Sequence, residues 1–311
     1  MTAFDRGLPA GVPRPVADLK LMGGSVRVLA FGKPHDWSLA SYNAHIPLEE
    51  RHNPDVETYL PVIAACAGLG KILHAPSPRL FNAEIATENE VMKTRYCVES
   101  QEYHDSVWID RGRDADGMLL PENKAYIVSP AGCPVAILKD DGGHQPLGVT
   151  HAGMRSVINE SRLERMLGLP VKNYRRHESV LYRLLEKMRI KTKRDAKRLQ
   201  AAVLFPIDPS VFTYPWDHPA FGALNRLRSE DIARRYGAQC VPGFGNKEEE
   251  RLGRIDLGAV CRAQLMLRGV LPERITVVPS PPREVWRDTR EDPVDSKKRD
   301  LLIVKHLSKA A

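Results

Sequence analysis

The 311-residue sequence contains no apolar run approaching the 18 or so residues that a membrane-crossing helix needs, so no membrane partner is expected. Its first twenty residues lack the apolar core of a signal peptide, which points to the cytoplasm. Cysteine is scarce. Cys66, Cys97, Cys133, Cys240 and Cys261 are odd in number and show no paired spacing, which argues against a disulfide framework. Aromatic residues make up only 6% of the chain and do not interleave with its basic residues, which argues against a nucleic-acid surface of the stacking type. No repeat at a solenoid period is present. The glycine-rich stretch GFGNKEEERLG lacks the preceding strand and the spacing of a nucleotide-binding fingerprint. Acidic residues are outnumbered 39 to 46 by Lys and Arg, and much of the resulting +7 lies in residues 175–197. That run reads as a solvated helix face, with a surface for a polyanion or a protein partner as the alternative.

What is there is the composition of a globular protein, 42% apolar and 27% charged, long enough to bury a sizeable core. Residues 1–24, with three prolines between 9 and 15, read as an irregular lead-in. No linker splits residues 25–311, which read as one mixed α/β domain with at least six strands. Alternation predicts strands at 25–31, around a turn at His104–Asp105, at 125–128, 135–138, 147–149, 201–205, 275–278 and 301–304. Helical spacing predicts helices after Asn53, at 158–167, 178–199, 229–236 and 256–269. Pro61 predicts a late start or a kink in the first of them. Cys66 and Cys261 sit in apolar or helical runs and read as small core residues.

The central stretch 126–158 carries most of the chemistry. Cys133 sits between two apolar runs, flanked by Gly132 and Pro134, and His151 ends the third run. A thiol and an imidazole are thus expected at the ends of neighbouring strands. With His104 they make two imidazoles and one thiolate, a donor set suited to zinc with a fourth position open. The same Cys133 and His151 would also serve a metal-free Cys/His hydrolase, and ordinary core residues are the bland alternative. Arg155, just ahead of a helical pattern, is a candidate anion-binding residue. Asp114, Asp116 and Glu122 read as solvated loop carboxylates.

These residues resemble the YfiH-type family, known both as multicopper polyphenol oxidase (laccase-domain) proteins and as purine nucleoside phosphorylases. Gln101-Glu102-Tyr103-His104 is similar to the family's Q-x-H-G turn, one residue longer. Ala131-Gly132-Cys133-Pro134 is similar to A-D-C-x-P, and His151-Ala152-Gly153-Met154-Arg155-Ser156 to H-A-G-W-R-G. Ala115-Asp116-Gly117 lies where the family has an A-D-A-like turn, and Ser41-Tyr42-Asn43-Ala44-His45 resembles its early S-L-N-L-G-x-H segment. The resemblance implies a layered α/β/β/α sandwich with mixed sheets in a single α/β (α+β) domain, with extra segments near 79–95 and 172–197. It implies Zn²⁺ on His104, Cys133 and His151, with copper as the alternative ion. It implies phosphorolysis of adenosine- or inosine-type nucleosides, or adenosine deamination, with Arg155 serving the phosphate and Asn43 and Gln101 contacting substrate. The partners would be a small nucleoside and phosphate. The departures are Gly132 in place of the family's aspartate and Met154 in place of its tryptophan. They suggest altered activity, or a non-catalytic relative that binds a polyanion or a protein.

Overall fold

The computed structural model describes residues 7–42, 46, 52–77, 83–142, 145–171, 178–287 and 298–308. Strands β1 (Ala17–Leu21) and β2 (Val26–Phe31) form an antiparallel pair. The lead-in expected to be irregular therefore supplies an edge strand. It does so because alternate residues Ala17, Leu19 and Leu21 pack against the core between the sheets, although β1 itself is only half buried. Helix α1 (Pro54–Cys66) follows, capped by the Asn53 side chain, which accepts from the amides of Asp55 and Val56. Pro61 lies inside α1 and is buried there, so the helix starts seven residues before the proline. Next come β3 (Ile72–His74), β4 (Ile85–Ala86), the short α2 (Glu88–Val91), β5 (Arg95–Glu99) and β6 (Ser106–Asp110). Strands β7 (Gly117–Leu120), β8 (Ala125–Val128), β9 (Val135–Asp140) and β10 (Leu147–His151) lead into α3 (Met154–Val157) and α4 (Glu160–Met166).

The helix expected over 178–199 is broken in two. It forms α5 (Val180–Lys187) and α6 (Lys193–Ala196), separated by Arg189 at a φ of 60°. Thr192 opens α6 with a capping box shared with Asp195. Then come β11 (Leu199–Leu204), α7 (Gly222–Tyr236), α8 (Leu257–Leu267), β12 (Ile275–Val278) and β13 (Leu301–His306). Helix α7 begins seven residues before the position that spacing indicated. Its first turns are held by packing around Leu224 and Asn225, which the sequence pattern does not display.

The strands form two mixed sheets. One has seven strands in the order β1-β2-β13-β8-β3-β6-β5, and the other six in the order β12-β11-β9-β10-β7-β4. Alternation along the strands splits the buried side chains into three cores. Val28, Tyr126 and Val304 of the first sheet meet Ile137, Val149 and Leu204 of the second. Leu29, Ile109 and Ile127 on the other face of the first sheet pack with Leu60 and Ile63 of α1. Leu138, Ala201 and Val203 on the outer face of the second sheet pack with Leu184, Ile232 and Val260 of the helices. The layers are therefore α/β/β/α in one mixed α/β domain, as expected. Each such leucine or isoleucine contributes roughly 1.5–3 kcal/mol by leaving water.

All five cysteines are free thiols. Cys261 is buried as expected, but Cys66 is exposed, because it falls on the last turn of α1 beyond the part that covers the sheet. No helix among the described residues is long and apolar enough to cross a membrane.

Candidate functional site

Register brings Cys133 and His151 together. His151 ends β10 opposite Val135, the first residue of β9, and Cys133 stands two residues ahead of Val135. The Ala152 amide donates to the Pro134 carbonyl at 2.7 Å, tying the two chain segments side by side. Gly153 lies over the pair. A Cβ placed there would stand 3.0 Å from His151 Cε1 and 3.3 Å from Cys133 Sγ. The thiol is half buried and the imidazole almost wholly so.

Burial alone pulls His151 down to about 4, so its imidazole is neutral around neutral pH. The unfolded chain would take up this proton near 6.5, the folded chain only near 4. Stability tied to His151 is therefore present above about pH 6.5 and is lost as the pH falls toward 4. Moving from pH 7.5 to pH 5 should cost wild type about 2 kcal/mol more than His151→Gln. Urea unfolding of both proteins at the two pH values measures that difference. Asp300, which burial pushes up to about 7, acts in the opposite sense but is common to both proteins and cancels.

His104 does not join the pair. It lies exposed in the turn between β5 and β6, with a φ of 55°. Strands β6 and β8 both run parallel to β3. The β5–β6 turn therefore lies at the start of β8, whereas Cys133 follows its end. The four residues of β8 alone separate those ends by roughly 10 Å. Gln101, exposed in the same turn, is removed from the pair for the same reason. The histidine at the Cys133 end of this sheet is His74. It is wholly buried, with ring nitrogens 3.4 Å from Asp110 and 3.6 Å from Glu88. Among the described residues no three His, Cys, Asp or Glu side chains are placed to hold a metal ion. Among the described residues, Cys133 and His151 supply two of the three donors that the resemblance implies, one short of a zinc or copper centre. Asn43, His45 and His144 lie outside the described residues.

Arg155 falls inside the four-residue α3 rather than ahead of a long helix. Its Nε lies 3.3 Å from Glu160, whose other oxygen accepts from the buried Arg228 at 2.8 Å. Two guanidinium groups thus share one carboxylate. Arg228 also donates to Asn225 Oδ1 at 2.8 Å and covers the Tyr214 ring at 4.3 Å. These residues line a groove of about 570 Å³, with Phe221 exposed at its rim. Neither Cys133 nor His151 lines this groove; Arg155, two residues beyond Gly153 in the chain, links it to the pair. Nothing in the local sequence pattern marks Glu160, Asn225 or Arg228, since α4 and α7 meet only in three dimensions.

Asp116 was expected to be a solvated loop carboxylate. It is wholly buried instead. Its carboxylate accepts from the Ala83 amide at 2.6 Å and from Ser156 Oγ of α3 at 2.8 Å. Its main-chain carbonyl accepts from the His151 amide at 2.7 Å. Asp116 therefore braces both the strand that ends in His151 and the helix that carries Arg155. The Ala-Asp-Gly turn was the available signal.

Gly132 adopts a φ of 87°, and a Cβ there would stand 3.1 Å from Ile207 Cδ1. Its carbonyl accepts from the Ile207 amide at 3.0 Å. An aspartate at this position would meet both left-handed strain and Ile207. Met154 is buried in the helical-side core.

No protein-family profile and no curated protein matches the sequence. Solved structures do match over nearly the whole chain. The YfiH hypothetical protein of Bacillus licheniformis aligns with a TM-score of 0.56 at 13% identity, covering 91% of this chain and 93% of its own. A Neisseria meningitidis protein of the DUF152 family aligns with a TM-score of 0.57 at 15% identity, covering 94% and 98%. YlmD from Geobacillus stearothermophilus aligns with a TM-score of 0.57 at 14% identity, covering 91% and 93%. Two facing mixed sheets, α1 on one side and the remaining longer helices on the other, are what the alignment spans, and the chain has the YfiH-type fold.

Proposed function

We propose that this protein is an enzyme acting on a small nucleoside-type substrate, with Cys133 and His151 at its reacting centre. The convergence of the thiol and the imidazole beside Gly153 carries the reading. The sequence resemblance to a nucleoside-phosphorylase family and the YfiH-type fold support it. A groove of about 570 Å³ is of the size that takes a drug-sized ligand. In phosphorolysis a phosphate oxygen bonds to the anomeric carbon while the bond to the base breaks and the base acquires a proton. Neutral His151 offers one ring N–H and one lone pair to polar atoms of the substrate. Arg155 would have to share its guanidinium between Glu160 and the phosphate. Among the described residues the donors at the pair fall one short of a catalytic zinc set.

A thiolate–imidazolium hydrolase is the poorer reading. It needs an imidazole that holds its proton near neutrality, and burial of His151 works against that.

The test is turnover of inosine and adenosine with and without phosphate, alongside the metal content of the purified protein. Phosphate-dependent release of free base, reduced more than tenfold in Cys133→Ser and in His151→Gln, is the expected result. Absence of turnover across the panel, or turnover unchanged in both variants, would overturn the assignment. Stoichiometric zinc that persists in His151→Gln would place any metal elsewhere in the molecule.

A further inference from the structure

The basic run has no part in that chemistry, and the fold gives it a shape that the sequence does not show. Residues 183–198 contain eight basic and two acidic side chains, a surplus of six in a chain whose whole net charge is +7. Within the run, Arg183 pairs with Glu186 and Arg198 with Asp140. Arg189, Lys191, Lys193, Arg194 and Lys197 are exposed, and none is seen paired with a carboxylate among the described residues.

The break between α5 and α6 sets Lys191 and Lys193 on the wall of one cleft, and with exposed Arg189, Arg194 and Lys197 close by in the chain they make up a basic face. The end of α8, more than seventy residues further along the chain, abuts that face. A Cβ on Gly269 would stand 2.8 Å from Lys193 Cβ, so the two segments touch. Contact at this closeness brings exposed Arg268 into the basic face. Its guanidinium lies 3.8 Å from the centre of the Tyr182 ring, which holds it in place. Lys191, Lys193 and Arg268 together line a cleft of about 140 Å³. Glu186 is the one acidic residue in its lining, and Arg183 already balances it.

We propose that this face binds the phosphodiester backbone of a nucleic acid, with one phosphate entering the Lys191–Lys193–Arg268 cleft and its neighbours meeting Arg189, Arg194 and Lys197. A concave cationic cleft admits a phosphate carried on a strand, whereas a flat lipid surface would bridge over it. Continuation of charge beyond the cleft favours a chain of phosphates over a single anion. Contact would be to the backbone and without base sequence preference, because the only ring at the cleft, Tyr182, is covered by Arg268.

Anisotropy of a fluorescent 20-nucleotide RNA, titrated with the whole 311-residue chain at 50 and 200 mM salt, tests the proposal. The variant K191E/K193E/R268E removes the cleft charge. K20E/K71E/K247E makes the same change in net charge at exposed lysines elsewhere on the surface. Binding by wild type that weakens at the higher salt is expected, with a loss of about tenfold or more in the cleft variant and less than threefold in the control. The cleft variant should also show a shallower salt dependence. Absence of binding at 50 mM salt, or equal losses in the two variants, would overturn the assignment. So would full displacement of the RNA by millimolar inorganic phosphate, which would mark a small-anion site. Equally strong, cleft-dependent binding to anionic lipid vesicles would overturn it in favour of a membrane surface. Nucleoside turnover in the cleft variant separates this result from the catalytic reading, since none of the three substituted residues belongs to the groove beside Arg155.

Discussion

Asp300→Ala is expected to cost about 3 kcal/mol or more of folding stability. Asp300 precedes β13 and is wholly buried, as is Arg287. Its carboxylate accepts from the Arg287 amide at 2.7 Å and from Arg287 Nη1 at 3.1 Å. The same guanidinium donates to the carbonyls of Arg299 and Pro34, so this one side chain ties three segments together where β2 ends and β13 begins. Removing the carboxylate takes from a buried guanidinium the charge it meets in Asp300, and breaking a buried pair in this way typically costs about 3–5 kcal/mol. Burial already pushes the Asp300 carboxyl up to about 7, so near neutrality the pair is not fully ionic. Asp300→Asn, which keeps an acceptor for Arg287, should therefore lose less than half as much as the alanine variant. Midpoints of urea unfolding for the two variants decide this. Equal losses would mean that shape rather than the acceptor matters.

The second large effect is at Asp116. Replacing it by alanine strips the Ala83 amide and Ser156 Oγ of their shared acceptor in a site without solvent. Each donor left buried and unmet costs about 1–3 kcal/mol, so a total of about 2–6 kcal/mol is expected for the two. The loss should reach the candidate site as well. Ser156 lies in α3 beside Arg155, and the Asp116 carbonyl receives the His151 amide. Turnover per folded molecule should fall along with stability, although Asp116 is separated from Cys133 by β10. Asp116→Asn retains one acceptor and should restore part of both. An alanine variant as stable as wild type would show that water replaces the carboxylate and that the brace has no structural weight.

These two residues show where a linear reading runs out. Asp300 sits in a polar stretch of the sequence, and Asp116 in a loop with Asp114. Burial of either depends on what meets it in space: Arg287 in one case, residue 83 and α3 in the other. Local pattern carries the strand alternation, the helix that opens at Asp256, the cap at Asn53, and the placing of Cys133 and His151 at the ends of neighbouring strands. Each of those rests on neighbours a few residues apart or on adjacent strands.

His104 illustrates the opposite failure. Its segment is similar to the motif and follows the same order, one residue longer, yet it belongs to a turn at the other end of the sheet. Chain direction decides this, because β6 and β8 run parallel through β3. Residue spacing does not encode whether two strands are parallel. Sequence by itself determined the α/β class, the strands of the central third, the local union of thiol and imidazole and the clustering of positive charge. The tertiary structure alone decided which donors share a site, which carboxylates are buried, and that Arg268 completes the cleft begun by Lys191 and Lys193. Those outcomes depend on contacts between segments far apart in the chain, and only the packing of the four layers brings such segments together.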